Sequence, residues 1–396
     1  MKALMLYLFG VATLFASSDN FDILHQMKAY KQTQTLNIAK IKQDNLKTIK
    51  QNKFYYIKIT DTASSYYQDF LCKKWGVENV KLSNKTTFTQ YSKNMNSRES
   101  IDFKNGIINI EIISDKNNTI SPKIFNKTIT NLSKETIAES LLKDPVAQLE
   151  KKYLEKKNII KPYILKTKTP YLNGFIQNKI IKKEDIKEKE LVLENGKKRF
   201  IKYIKIPMVP NYLEKMALKY KKFVLQKSKL YNVEPSVVFA TIQTESYFNP
   251  LAKSHVPAYG LMQIVPTTAG IDAYYALYKI KKILSPAYLY DEHNNITLGT
   301  KYIQIIRDNY LRGVKDEKSK LYCAAISYNA GIGSLIYALT GSKKKRKLAI
   351  KMINSMKAKQ LYKHLRTSTR LTHEARNYLK KILDRKKNYL AWDEEV

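Results

Sequence analysis

Pro207 and Pro210 separate two stretches of sequence with different hydrophobic periods, and that switch limits the fold more than any other feature. Upstream, apolar residues alternate over short spans beside Asn-Gly pairs, the pattern of a small antiparallel sheet. Ile108, Ile110 and Ile112 follow Lys104-Asn105-Gly106, so a hairpin is predicted from residue 100 onward, with Asn-Gly supplying the positive φ angles of a type I′ turn. A second hairpin is predicted about Asn195-Gly196, between Leu191-Val192-Leu193 and residues 200–206. Residues 65–75 read as a helix ending near Gly76, residues 131–154 look helical, and residues 19–50 leave helix and linker both open. Downstream of the prolines the character is helical, with helices predicted over 212–231, 236–246, 297–311, 321–329 and 373–385, punctuated by Gly and Pro. The expected class is α+β: residues 19–206 form a smaller α+β domain with an antiparallel sheet, and residues 207–396 form an α-rich domain.

Charge narrows the partners only a little. The chain of 396 residues carries 71 Lys+Arg against 34 Asp+Glu, a net charge of +37, which attracts polyanions in general. Nucleic acid, an anionic membrane surface and carboxylate-bearing wall peptides all stay open on charge alone, and so does a merely solvated surface. Two cysteines far apart, Cys72 and Cys323, exclude a disulfide framework, and no Cys pairs with His at metal-ligand spacing. Met1-Lys2, the apolar residues 3–16 and then Ser17-Ser18-Asp19 have the form of a secretory signal over residues 1–18. The apolar run is too short to span a membrane comfortably. No Cys follows it, so lipid attachment there is not supported.

The chemistry starts at Glu245. In the predicted helix 236–246, Val238, Ile242 and Glu245 share one face, which puts the carboxyl on the apolar side near the helix end. Burial there disfavours the charged form and raises the pKa toward the range of a general acid. The same position also suits a glutamate satisfied by local backbone, so the helical face leaves two readings.

The company of Glu245 decides between them. Gln243-Thr244-Glu245-Ser246-Tyr247-Phe248-Asn249-Pro250 is followed by Ser254, by Gly260-Leu261-Met262-Gln263, by Ser327-Tyr328-Asn329-Ala330-Gly331 and by Glu374-Ala375-Arg376-Asn377-Tyr378. In order and spacing these segments resemble the four motifs of family 1 lytic transglycosylases. The resemblance runs upstream through residues 97–103, 202–207 and Lys219-Tyr220, in the manner of the membrane-bound lytic murein transglycosylase C type, and covers about residues 65–383. It departs from that type in lacking the lipid-bearing Cys, which puts tethering to the outer membrane in doubt.

The resemblance implies a lysozyme-like fold for the α-rich domain and an enzyme that cuts peptidoglycan glycan strands in the periplasm, with no metal, no cofactor and no nucleic acid partner. Glu245 would protonate the glycosidic oxygen between N-acetylmuramic acid and N-acetylglucosamine. Its carboxylate would then take the proton of the muramyl 6-hydroxyl as that oxygen attacks C1, leaving a 1,6-anhydro sugar. One carboxyl serves both steps, unlike the paired carboxylates of most glycosidases, and Asp272, Asp291 and Asp308 are expected to be surface or capping acids. Ser254, Met262, Gln263, Tyr328, Asn329 and Tyr378 are the implied substrate-binding residues, although Met262 suits the core equally, with Gly260 letting a sugar lie close to the backbone. His255 is expected to be an ordinary loop residue. Two rivals remain: a goose-type lysozyme with water as the attacking group, and a non-catalytic protein that binds wall or other polyanions.

Overall fold

The computed structural model describes residues 19–115, 119–165, 167–193 and 196–396. The signal-like segment 1–18 and Asn195 of the second predicted turn lie outside the described residues. Residues 55–396 form one compact unit, and residues up to Phe54 group separately. Helix α1 is Asp19–Trp75, which resolves the open reading of residues 19–50 as helix, and it stops where Gly76 takes φ +70°. No single described helix is long and apolar enough to cross a membrane.

The first part of the compact unit is a five-stranded antiparallel sheet. Its strands are β1 (Thr87–Tyr91), β2 (Ser97–Asp102), β3 (Ile107–Ser114), β4 (Lys187–Val192) and β5 (Lys198–Pro207), in the order β1-β2-β3-β5-β4. Both predicted hairpins form, but the β2–β3 turn is not type I′. Asp102 pairs with Ile107, leaving a four-residue loop in which only Gly106 has positive φ. The Asp102 carboxylate accepts from the backbone of Lys104 and Asn105, building the turn from an Asp side chain. Gly106 is required for a second reason: a Cβ there would sit 2.4 Å from the Tyr212 ring.

Alternation gives the sheet two different faces. One buries Phe88, Ile101, Ile108, Ile110, Ile204 and Ile206, with Phe88 edge-on to Tyr171. The other packs Tyr91, Ile113, Leu191 and Ile201 against Tyr67, Leu71 and Trp75 of α1. A buried ion cluster is set into this second face. Arg98 stacks 4.0 Å over the Trp75 ring and donates to Glu111 at 2.7 Å, and Lys81 donates to the same oxygen at 2.7 Å. Burial pushes the Glu111 carboxyl up, but Arg98 and Lys81 outweigh it and hold it at about 2.

Between β3 and β4 lie α2 (Pro122–Lys134), α3 (Ile137–Lys143) and α4 (Pro145–Lys156), where one helical stretch was expected. Thr136 and Asp144 cap α3 and α4, and each breaks the run.

The rest of the unit is helical: α5 (Tyr212–Tyr231), α6 (Pro235–Glu245), α7 (Ala269–Tyr278), α8 (Pro286–Tyr290), α9 (Glu292–Ile305), α10 (Glu317–Ala330), α11 (Ile332–Thr340), α12 (Arg346–Asn354), α13 (Ala358–Thr367) and α14 (His373–Lys386). The helix expected over 297–311 starts earlier, where Asp291 caps α9, and its last part, Ile306–Tyr310, widens into a π turn. A core of Cys323, Ile326, Leu335, Leu339, Leu361, Leu365 and Leu379 gathers α10 to α14. Against it runs α6, whose residues 238–243 are all buried, so the single apolar face expected of it is an apolar surface nearly all round.

Candidate active site

Helix α6 is held at both ends. At its start Ser236 donates to Asp393 from its backbone at 2.7 Å and its hydroxyl at 2.6 Å. At its end Ser246 donates to the Leu261 carbonyl at 2.8 Å, and Arg385 donates to the Gln243 carbonyl at 2.8 Å while lying 4.5 Å over the Tyr247 ring. Tyr247 and Phe248 then take φ of 52° and 64°, turning the chain sharply away. Glu245 is thus the last residue of a buried, clamped helix, with 5% of its surface exposed.

Burial raises the Glu245 pKa above the usual carboxylate range; the Lys85 charge and the Tyr378 hydroxyl pull it back, and the Glu374 charge pushes it up. Tyr378 reaches it from α14, where Ala375, Leu379 and Ile382 are buried beside it as its helical face predicts. Its hydroxyl is buried next to the carboxyl without completing a hydrogen bond of ordinary geometry. Tyr328, near the end of α10, feels the Glu245 charge and donates to the Met262 carbonyl at 2.8 Å. Asn329, its neighbour, donates to Glu374 at 3.5 Å. Three of the four motif segments therefore meet around one carboxyl, and the fourth reaches them through its backbone.

That fourth segment differs from expectation in its side chains. Met262 is fully buried and packs on Gly299, where a Cβ would come within 2.3 Å of its sulfur; the interior takes this side chain, so it does not line an open cleft. Gln263 turns its amide nitrogen onto the Ala252 and Gly260 carbonyls, both at 3.1 Å, and leaves Oε1 buried without a partner. Gly260, at φ +75°, is needed for an approach inside the protein, because a Cβ there would meet Asn295 Nδ2 at 2.4 Å. Ser254 does not touch Glu245: its hydroxyl accepts from the Ala258 N–H at 3.1 Å and donates to the Val256 carbonyl, closing its own loop. Asp272, Asp291 and Asp308 sit as expected, accepting from Tyr310, capping α9 and pairing with Arg307. His255 is an exposed loop residue.

Two residues that shape the site carry no sequence signal. Asn295 is fully buried in α9; it accepts from the Met262 N–H at 2.8 Å and donates to the Tyr259 and Leu289 carbonyls, both at 2.7 Å. It is the peg on which the Gly260–Gln263 turn hangs. Lys85 comes from the segment before β1, held by Asn249, which donates to its carbonyl at 3.4 Å. Its ammonium lies 3.7 Å from Glu245 and 3.4 Å from Glu374. The sheet-bearing part of the chain thereby contributes a charge to the carboxyl that the helical part buries.

Residues 222–351 match the Transglycosylase SLT domain family, and residues 47–219 match the N-terminal domain of membrane-bound lytic murein transglycosylase C. Membrane-bound lytic murein transglycosylase C of Haemophilus ducreyi is 30% identical over 334 residues, which cover 80% of this chain and 83% of that one. The chain belongs to the membrane-bound lytic murein transglycosylase C family. The family protein of Glaesserella parasuis is 31% identical over 322 residues, 80% of this chain and 83% of its own length. That of Mannheimia succiniciproducens is 29% identical over 339 residues, 83% and 88% of the two chains. Within this lytic murein transglycosylase, Glu245, Ser254, Met262, Gln263, Tyr328 and Asn329 lie inside the SLT match, whereas Glu374 and Tyr378 lie past its end. Lys85 lies in the N-terminal-domain match.

Proposed function

We propose that Glu245 carries both proton transfers of a peptidoglycan lytic transglycosylase, first as acid and then as base. Protonated, it gives its proton to the glycosidic oxygen as the bond from C1 of N-acetylmuramic acid to the N-acetylglucosamine leaving group breaks. Ionised, it accepts the proton of the muramyl 6-hydroxyl as O6 bonds to C1, closing a 1,6-anhydro ring. The observation that carries this reading is the Glu245 carboxyl itself: it is buried, its pKa is raised, and it stands where Tyr328, Tyr378 and the α6 end converge.

Lys85 supports the second half of the cycle. Once Glu245 has lost its proton, an ammonium 3.7 Å away stabilises the carboxylate that must wait for the 6-hydroxyl. Glu374 is a poor candidate for a second catalytic carboxylate, since its side chain is 69% exposed and shared between Lys85 and Asn329. In this reading Tyr328 and Asn329 face the reacting sugar, and Asn329 orients its N-acetyl group. Met262 and Gln263 act by shaping the backbone of the cleft, and Ser254 by holding its loop.

The reading includes a signal at residues 1–18, an N-terminal domain at 19–206 and a transglycosylase domain at 207–396; the boundary between the two domains is supported by the strands of the described residues all ending by Pro207. It places the enzyme in the periplasm, and the relatives' description as membrane-bound supports the cell envelope. The net charge of +37 favours retention on a wall whose peptides carry carboxylates. Mass spectrometry of products from intact sacculi tests the reaction: 1,6-anhydro ends are expected, and reducing ends would convert the assignment to a hydrolase.

A further inference from the structure

The sheet face that carries Gln90 and Glu99 opens on a cavity of about 620 Å³, the size of a site for a small ligand. Gln90 and Glu99 are direct cross-strand partners in β1 and β2, so their side chains lie together on one face. Gln90 is only 3% exposed and donates from Nε2 to Glu135 at 3.0 Å. The amide has to point its nitrogen this way, because its oxygen would otherwise oppose a carboxylate. Oε1 is therefore left as a buried acceptor without a donor.

The same end of the cavity has more negative charge than the protein neutralises. Glu135 pairs with Lys143 at 3.0 Å, while Glu99 makes no ion pair among the described residues. Burial and then the Glu135 charge push the Glu99 carboxyl up to about 7, with Lys143 and Gln90 acting against them. An orphaned acceptor beside an uncompensated carboxyl calls for a donor with positive charge. A cation is also at hand: Lys93 lines the cavity and is exposed, whereas the Lys143 ammonium is taken by Glu135. Leu132 and Leu142 give the cavity an apolar part.

We propose that this cavity binds a short zwitterionic peptide, its N-terminal ammonium against Gln90 Oε1, Glu99 and Glu135 and its C-terminal carboxylate at Lys93. The site is separate from glycan cleavage in its residues and in its chemistry, and does not depend on the role given to Glu245.

Calorimetry on the full chain tests it with three probes: trialanine, N-acetyl-trialanine and trialanine amide. Trialanine is expected to bind, and each blocked form to bind at least about tenfold more weakly. Gln90→Leu and Glu99→Gln should each weaken trialanine by a similar factor, and Lys93→Ala should weaken the free acid while leaving the amide unchanged. Glu99 faces Glu135, Lys143, Lys93 and Tyr171, and its ionisation makes trialanine binding tighten as the pH rises through about 7. Circular dichroism checks folding; if Gln90→Leu does not fold, the half-buried and isosteric Glu99→Gln decides. Absence of binding by trialanine, equal binding of a blocked form, or variants that bind as the wild type does would each overturn the proposal.

Discussion

Asn295→Ala is the sharpest test of how the site is built. The side chain is fully buried and makes three hydrogen bonds: one from the Met262 N–H at 2.8 Å and two to the carbonyls of Tyr259 and Leu289 at 2.7 Å. A hydrogen bond of this kind is worth about 1 kcal/mol net, and each buried group left unpaired costs about 1 to 3 kcal/mol more. Partial relaxation of the turn recovers some of that, so the expected loss is about 3 to 5 kcal/mol, a large part of the ~5 to 15 kcal/mol that holds a typical domain folded. Urea denaturation measures it. Because Met262 receives the Tyr328 hydroxyl on its carbonyl, the loosened turn should also lower the rate of glycan release at temperatures where the variant is still folded. A loss below about 1 kcal/mol with unchanged activity would refute the view of Asn295 as the peg of the Gly260–Gln263 turn.

Removing Lys85 and removing Glu374 should move the pH profile in opposite directions. The acid form of Glu245 starts the reaction, so activity falls as the pH rises through its pKa. Lys85→Met, by deleting a charge that lowers that pKa, extends the alkaline limb upward; Glu374→Gln, by deleting one that raises it, draws the limb down while retaining most of the activity. Shifts of the same sign would show that the limb does not report Glu245. Arg98→Ala removes the fully buried one of the cations that hold Glu111, leaving Lys81 and Lys189, and should cost up to about 3 kcal/mol in urea denaturation. The Glu111 carboxyl, held at about 2, contributes stability that is present above the ordinary glutamate range and lost as the pH falls through about 2. Arg98→Ala should therefore denature at higher pH than the wild type in an acid titration. Tyr328→Phe deletes the bond to Met262 and should cost about 1 kcal/mol, with a larger effect on turnover than on stability.

The parts of this fold legible in the sequence were those fixed by local rules. The span of α5 follows from apolar periodicity between Pro210 and the left-handed Asn232, and the β4–β5 hairpin from alternating residues about Gly196. Tyr378 was legible through the motif it closes. What the sequence hid depends on distant partners. The Asp102 carboxylate, not Asn105, sets the β2–β3 turn, and Gly106 answers to Tyr212, a residue in another element. Met262 in a cleft motif reads as a ligand contact until Gly299 gives it a place in the core. Lys85 and Asn295 belong to no motif and act through contacts that only the tertiary fold creates.

The central claim is that one buried carboxyl does all the proton transfer, and Glu245→Gln on intact sacculi tests it most directly. Wild type should release products ending in 1,6-anhydro sugars, and the variant should release them at least about a hundredfold more slowly, the scale of a lost general acid and base. The raised pKa predicts more: ionised Glu245 is unfavourable in the folded state, so its stabilising effect is full below the ordinary glutamate range and lost as the pH rises through its raised pKa. At neutral pH the variant should thus be at least as stable as the wild type in thermal denaturation. A folded Glu245→Gln enzyme that still makes anhydro ends at the wild-type rate would contradict the account.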